Sequence, residues 1–370
     1  RLHYATSDRS ITNLKTKRFL LFFLLALGAI LLSACSGQPL SNNWPGLAAD
    51  AERAYISSGS FIYAVDMQNG SKVWQYPAEA DNKILFYATP VLTEDGQLLI
   101  GSAGTNHPFL SINPETGKEN WTESFTGAKG AWMASPLVLN ETIYAPNTDG
   151  FLYILDLSGK QAADPIQLGG ALWATPSTDG TLLYVTSLDH HLHIIDPAQG
   201  VINETIDLGG AAPGSPAIGA DGAYIGSFAS TVEFIQSNGQ HESIATAKNW
   251  IWGTPTLDGE TLYYADLDGV IYSLDLPSGS QNWDAVQPDG PVVASPLVVG
   301  DQIYIATESG SFFALDRDGK IVWEKTPGGK IYTSPVVSGE LILVAPYQAE
   351  FSLAAFDAEG KQAWTFTPEK

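Results

Sequence analysis

Ala64-Val65-Asp66-Met67-Gln68-Asn69-Gly70-Ser71-Lys72-Val73-Trp74 is the stretch that decides the fold. An apolar run ends at Asp66, Gly70 stands four residues on, and Trp74 four beyond that. A short carboxylate at the end of a strand can accept hydrogen bonds from the backbone of the following turn, and Gly can take the positive φ such a turn requires. The stretch therefore reads as strand, turn and strand, with a Trp early in the second strand. The order recurs along the chain. Eight apolar runs end at Asp66, Asn113, Asp156, Asp196, Gln236, Asp275, Asp316 and Asp357, and a Gly follows each after three or four residues. Four residues past the Gly stand Trp74, Trp121, Trp283, Trp323 and Trp364, while Ala163, Glu204 and Ser243 hold that slot in three consecutive units.

A second marker fixes the period. A small residue, a hydroxyl residue and a Pro recur at Ala88-Thr89-Pro90, Ala134-Ser135-Pro136, Ala174-Thr175-Pro176, Gly214-Ser215-Pro216, Gly253-Thr254-Pro255 and Ala294-Ser295-Pro296. Thr333-Ser334-Pro335 ends the series, and Trp44-Pro45 is a degenerate first copy. Between the markers lie apolar runs centred on Tyr55, Tyr144, Tyr184, Tyr224, Tyr263 and Tyr304, with Leu99 and Leu343 in the same slot. Each unit supplies four short antiparallel strands, too few to bury both faces alone. Units of about forty residues that stack on neighbours are the sequence signature of a repeat architecture. Radial stacking covers faces and shortens exposed edges. The expectation is an all-β protein, an eight-bladed β-propeller of four-stranded antiparallel blades over residues 44–370.

Composition agrees. The chain has 370 residues, 44% hydrophobic and 16% charged, with 36 Gly and 22 Pro. That apolar content excludes wholesale disorder. Its net charge of −22 makes it a poor ligand for nucleic acid. One Cys excludes a disulfide framework and a Cys-based metal site.

The first 18 residues carry Arg1, Arg9, Lys15, Lys17 and Arg18 against one acid, Asp8, and Phe19–Leu32 is uncharged. As a helix that run would reach about 21 Å, short of the roughly 30 Å hydrocarbon core, so it reads as a secretory signal. Leu32-Ser33-Ala34-Cys35 resembles the lipobox of bacterial lipoproteins. That resemblance implies a signal peptide over 1–34, lipidation of Cys35 and a lipid-anchored tether over 35–43. The mature protein would sit in the cell envelope, at the outer membrane facing the periplasm in a diderm organism, since Ser36 is not the Asp of inner-membrane retention.

The repeat resembles the tryptophan-docking motif of quinoprotein-type (PQQ-like) eight-bladed propellers. The resemblance implies that Trp74, Trp121, Trp283, Trp323 and Trp364 each pack on the next blade, and that the three interfaces lacking a Trp pack differently. Quinoprotein dehydrogenases of that fold use a calcium-bound quinone, an Asp base and often a vicinal disulfide. With a single Cys and no Asn/Glu/Asp set assignable to calcium, a catalytic reading is disfavoured, and no cofactor and no catalytic residue are expected. Lipobox, acidity and an unembellished ring are more similar to the BamB family of envelope lipoproteins. That family implies a non-catalytic, monomeric protein-binding scaffold, membrane-held through its N-terminal lipid, with envelope proteins and a β-barrel assembly subunit as partners. A ligand-sensing or solute-binding propeller stays open as the alternative.

Three residues before each repeat Pro stand Tyr87, Met133, Trp173, Pro213, Trp252, Val293 and Tyr332. Aromatics thus occupy blades 2, 4, 6 and 8, and Trp132 and Trp250 lie close by in sequence. If the Pro segment is innermost, Tyr87, Trp173, Trp252 and Tyr332 form a candidate binding collar at one channel mouth. The other reading is plain packing between blades. His190, His191 and His193 invite a metal reading, but His193 falls in the slot of Tyr63, Tyr153 and Tyr272, which is a packing position, so no metal site is expected.

Overall fold

Phe61–Asp66 and Phe151–Asp156 are buried at four consecutive residues, Ile62–Val65 and Leu152–Leu155. A strand buried on both faces must lie between two other layers, and here those layers are the neighbouring blades. The computed structural model describes residues 44–369, and all regular structure in that span is strand. Cys35, the segment 1–34 and the tether 35–43 lie outside the described residues. Eight antiparallel sheets follow one another along the chain and form an eight-bladed propeller. Blade 1 comprises Gly46–Ala49, Arg53–Ser58, Phe61–Asp66 and Lys72–Tyr76, in sequence order from channel to rim. Blades 3 to 8 repeat this over residues 137–167, 177–207, 217–246, 256–281, 297–325 and 336–366. Blade 2 keeps three strands over residues 91–112, and its rim is reduced to the isolated bridges Phe109–Phe125 and Ile112–Glu119.

The turn residues do what their chemistry allows. Asp66 Oδ1 accepts from the backbone N–H of Gln68 and Asn69 at 2.8 and 3.2 Å. Asn113 and Asp196 repeat the arrangement, and the glycines that follow, Gly117 at φ 69° among them, take positive φ. The hydroxyls before the prolines tie blade to blade. Ser215, Thr254 and Ser295 each donate their backbone N–H to the hydroxyl of Thr254, Ser295 and Ser334 in the next blade, all at 2.9 Å.

Each Trp of the repeat lies on the turn glycine of the next blade. A Cβ added to Gly117 would sit 2.7 Å from the Trp74 ring, and one on Gly70 would sit 2.7 Å from Trp364. Trp121 covers Gly159, Trp283 covers Gly319 and Trp323 covers Gly360 in the same way. Four of the indoles also donate Nε1–H to the carbonyl one residue past the turn Asp or Asn: Trp74 to Pro114, Trp121 to Leu157, Trp323 to Ala358 and Trp364 to Met67, at 2.8–2.9 Å. Trp283 Nε1 is buried with no partner among the described residues. A register shift just before the slot aims the ring: Ala64 pairs Trp74 while Val65 pairs Lys72, which leaves Val73 bulged outward. Blades 7 and 8 carry the same shift.

Trp364 closes the ring. Among the described residues no strand is shared between first and last blades; Trp364 docks on blade 1, and Ser338 Oγ donates to the Asp50 carbonyl at 2.5 Å. The three interfaces without a Trp are adjacent, between blades 3 and 4, 4 and 5, and 5 and 6. Their strands show a reciprocal exchange of size. The residue opposite the central Tyr or Leu is Ala64, Ser111, Ser273, Ala314 or Ala355 where a Trp is present, and Ile154, Ile194 or Phe234 where it is not.

Candidate functional site at the channel mouth

The segment before each inner strand lines the channel, as its Pro and hydroxyl ties require. Tyr87, Trp173, Trp252 and Tyr332 are all half-buried there and border one cavity of about 370 Å³. They do not close a ring by themselves: of the four, only Trp173 and Trp252 approach each other directly. Trp44 lies between them, with its ring centroid 5.4 Å from Tyr87, 6.1 Å from Trp173 and 6.4 Å from Tyr332. Trp173 approaches Trp252 at 6.5 Å, Trp252 approaches Phe228 at 5.4 Å, and Phe228 stacks on Trp250 at 4.6 Å. The result is a continuous aromatic path from the channel mouth outward over the turns of the second and third strands, where Trp250 is 49% exposed. Such pairs contribute about 0.5–1.5 kcal/mol each beyond the area they bury.

Trp250 is held by a buried carboxylate. Asp266 accepts from the backbone N–H of Lys248 and Asn249, from Asp268 and Val270, and from the Tyr272 hydroxyl at 2.9 Å. At the other side Tyr332 donates to Glu308 at 3.1 Å, and Glu308 pairs with Lys330 at 2.6 Å. Burial raises the Tyr87 and Tyr332 phenols above their ordinary value, so both remain neutral donors near neutral pH.

The cavity is lined by aromatic, aliphatic, small and hydroxyl residues, and among the described residues no carboxylate or carboxamide borders it. That donor set does not fit a calcium-bound quinone. Trp132 is not part of the path: it is fully buried, packs on Phe109 and Tyr153, and donates to the His107 carbonyl at 2.8 Å. His193 is buried and its Nδ1 lies 3.2 Å from Thr205 Oγ1; burial pulls its pKa below the ordinary value. His191 faces Asp189 at 3.3 Å, and no group of three His, Cys, Asp or Glu converges among the described residues.

Trp44 and Phe228 escape the sequence reading. Trp44 does not fall three residues before its Pro, and Phe228 sits in the turn slot of Thr148, Leu188, Leu267 and Glu308. Comparing that slot across blades 3 to 7 singles out Phe228 as its one aromatic.

The family described as "Outer membrane protein assembly factor BamB" matches residues 58–285 and 267–370. The chain belongs to the BamB family. Family proteins of that name from Bordetella pertussis and Burkholderia pseudomallei are 31% and 28% identical over 112 and 114 residues. Those alignments take in 30% of this chain, and the chain spans only 28% and 29% of those relatives. The crystal structure of BamB from Moraxella catarrhalis superposes with a TM-score of 0.66 at 16% identity, covering 85% of this chain and 91% of that one. The computationally designed Ika8 protein reaches 0.72 at 11% identity, covering 86% and 98%. Those two likenesses concern the fold alone.

Proposed function

We propose that this chain is a non-catalytic, protein-binding scaffold of the cell envelope that serves outer-membrane β-barrel assembly. The observation that carries this reading is the BamB-family match running from residue 58 to residue 370, over all but the beginning of the ring. The aromatic path from Trp44 to Trp250 is the contact surface. Half-buried indoles backed by one another offer large contact area at little entropic cost, the usual make-up of an interface anchor. Cys35 carries the lipid that holds the ring at the outer membrane, and residues 35–43 are its tether.

The test is affinity purification of the full chain from detergent-solubilised native envelope. A β-barrel assembly subunit should co-purify, and Trp250→Ala with Trp252→Ala should reduce its recovery while the melting temperature changes little. Absence of any assembly subunit defeats the scaffold reading. Undiminished recovery with a sharply lowered melting temperature would make the aromatics core and move the contact elsewhere. Cys35→Ala should release the protein from the membrane fraction or block its processing.

The cavity of about 370 Å³ favours one second reading, a solute-binding propeller. Trp44, set against Tyr87, Trp173 and Tyr332, crosses that mouth and leaves the protein-partner reading ahead.

A further inference from the structure

Between blades 5 and 6 a groove of about 910 Å³ opens at the rim. Its floor is Tyr224, Phe234, Leu257 and Leu276, none of them fully buried. Five other interfaces show what such a site receives. There an indole covers the turn glycine, packs on the blade's own ring in four of the five (Tyr55, Phe109, Tyr263 and Tyr304, at 5.8–6.1 Å), and in four donates to the carbonyl past the turn Asp or Asn. In blade 5 Tyr224 occupies the slot of Tyr55, Tyr263 and Tyr304 and is met only partly, by Phe234 at 5.0 Å. A Cβ on Gly279 would meet nothing within 4 Å, although its φ of 67° matches the 69° of Gly117. The carbonyl of Leu276, one past Asp275, has the place of the four accepting carbonyls.

The chain cannot fill this place itself. The register shift of blade 5 falls between Val232 and Glu233, two pairs earlier along the third strand than in blades 1, 7 and 8. Glu242, not Ser243, therefore pairs with Phe234 on the face toward blade 6. The interface between blades 4 and 5 is different, because the Glu204 stem comes within 3.0 Å of a Cβ on Gly239 and covers it. Charge selects the occupant: Asp221, Glu242 and Glu260 border the groove, and among the described residues no Lys or Arg does.

We infer that this groove binds an extended segment of a partner protein that presents an aromatic side chain, Trp above all, beside a Lys or Arg. The aromatic ring lies on Gly279 and its N–H reaches the Leu276 carbonyl, while the cation meets Glu242 and Glu260. The inference stands on the groove and holds whichever partner occupies the channel mouth.

The chain supplies its own probe. Residues 71–76, Ser-Lys-Val-Trp-Gln-Tyr, are the docking strand of blade 1 and place a Lys two residues before the Trp. As a blocked peptide titrated calorimetrically into the full chain, this sequence should bind saturably. A peptide with Ala for Trp should bind about tenfold more weakly or not at all, as expected for loss of an aromatic anchor. The exposed pair Glu242→Lys and Glu260→Lys should weaken binding with no change in melting temperature. With a photoreactive benzophenone side chain in place of the Trp, the crosslink should fall on Leu257, Leu276 or Pro277. No saturable binding, binding indifferent to the Trp and to the charge reversals, or crosslinks at Trp44 or Trp252 would each overturn the inference. A negative result leaves the co-purification test of the scaffold role standing.

Discussion

Trp364 and Trp283 occupy the same slot of the repeat, and only their surroundings separate them. Trp364 is buried, closes the ring and bonds the Met67 carbonyl at 2.8 Å. Trp283 covers Gly319 but keeps its Nε1 buried without a partner among the described residues. Truncating a buried Trp to Ala typically costs about 3–5 kcal/mol, so Trp364→Ala should sit in that range. A buried unpaired N–H costs about 1–3 kcal/mol. Trp283→Phe should therefore change stability by less than about 1 kcal/mol, whereas Trp364→Phe, which strips the Met67 carbonyl of its donor, should cost more. Denaturant midpoints at constant m decide between them. His193 gives a pH signature at the same scale. Its folded pKa lies below the ordinary 6.5 because burial penalises the charged ring. The unfolded chain then binds more protons just below that pH. Its contribution is complete above about pH 6.5 and is lost as pH falls toward the lower folded value. His193→Tyr, the residue found in this slot of blades 1, 3 and 6, should flatten the fall in melting temperature below pH 6.5; an unchanged profile would assign the acid sensitivity to other groups.

The turn between third and fourth strands is the element that joins one blade to the next, and two glycines separate its two demands. Gly117 and Gly279 have nearly equal positive φ, 69° and 67°, but the first lies under Trp74 and the second under nothing. Gly279→Ala should cost only the left-handed backbone term, about 1 kcal/mol. Gly117→Ala should cost that plus about 1–3 kcal/mol for displacing the indole. Equal losses would show that the docked Trp yields freely. This element was legible in the sequence because it is local: Asp66, Gly70 and Trp74 lie within nine residues, so their spacing marks the turn, while the docking role of the Trp came from the resemblance to the PQQ-like repeat. The reciprocal exchange of Ala64 for Phe234 was equally present, but it needs the strand register to be noticed. The missing fourth strand of blade 2 and the shifted bulge of blade 5 left no local mark. Trp44 could not be placed from spacing either, since it meets Tyr332 from nearly the far end of the chain.

Across the whole molecule the five Trp-docked interfaces form one arc, from blade 6 through the ring closure to blade 3. The other three form a second arc. In the first, each outer strand is tied to the next blade by an indole, and in four cases by its hydrogen bond as well. In the second, the outer strands Gln161–Gln167, Val201–Asp207 and His241–Thr246 are largely exposed and carry Ala163, Glu204 and Ser243 instead. Local opening follows from few buried apolar contacts and solvent-exposed backbone hydrogen bonds. Hydrogen exchange should therefore be faster in these three strands than in Lys72–Tyr76, Ile321–Lys325 and Gln362–Phe366. The usual expectation for a ring is the reverse, with the seam between first and last blades opening first. Here Trp364 and the Ser338 bond place the seam inside the docked arc, so the softer edge lies opposite the termini. Uniform protection around all eight rims, or fastest exchange in Gln362–Phe366, would mean that the indoles do not set the order of opening.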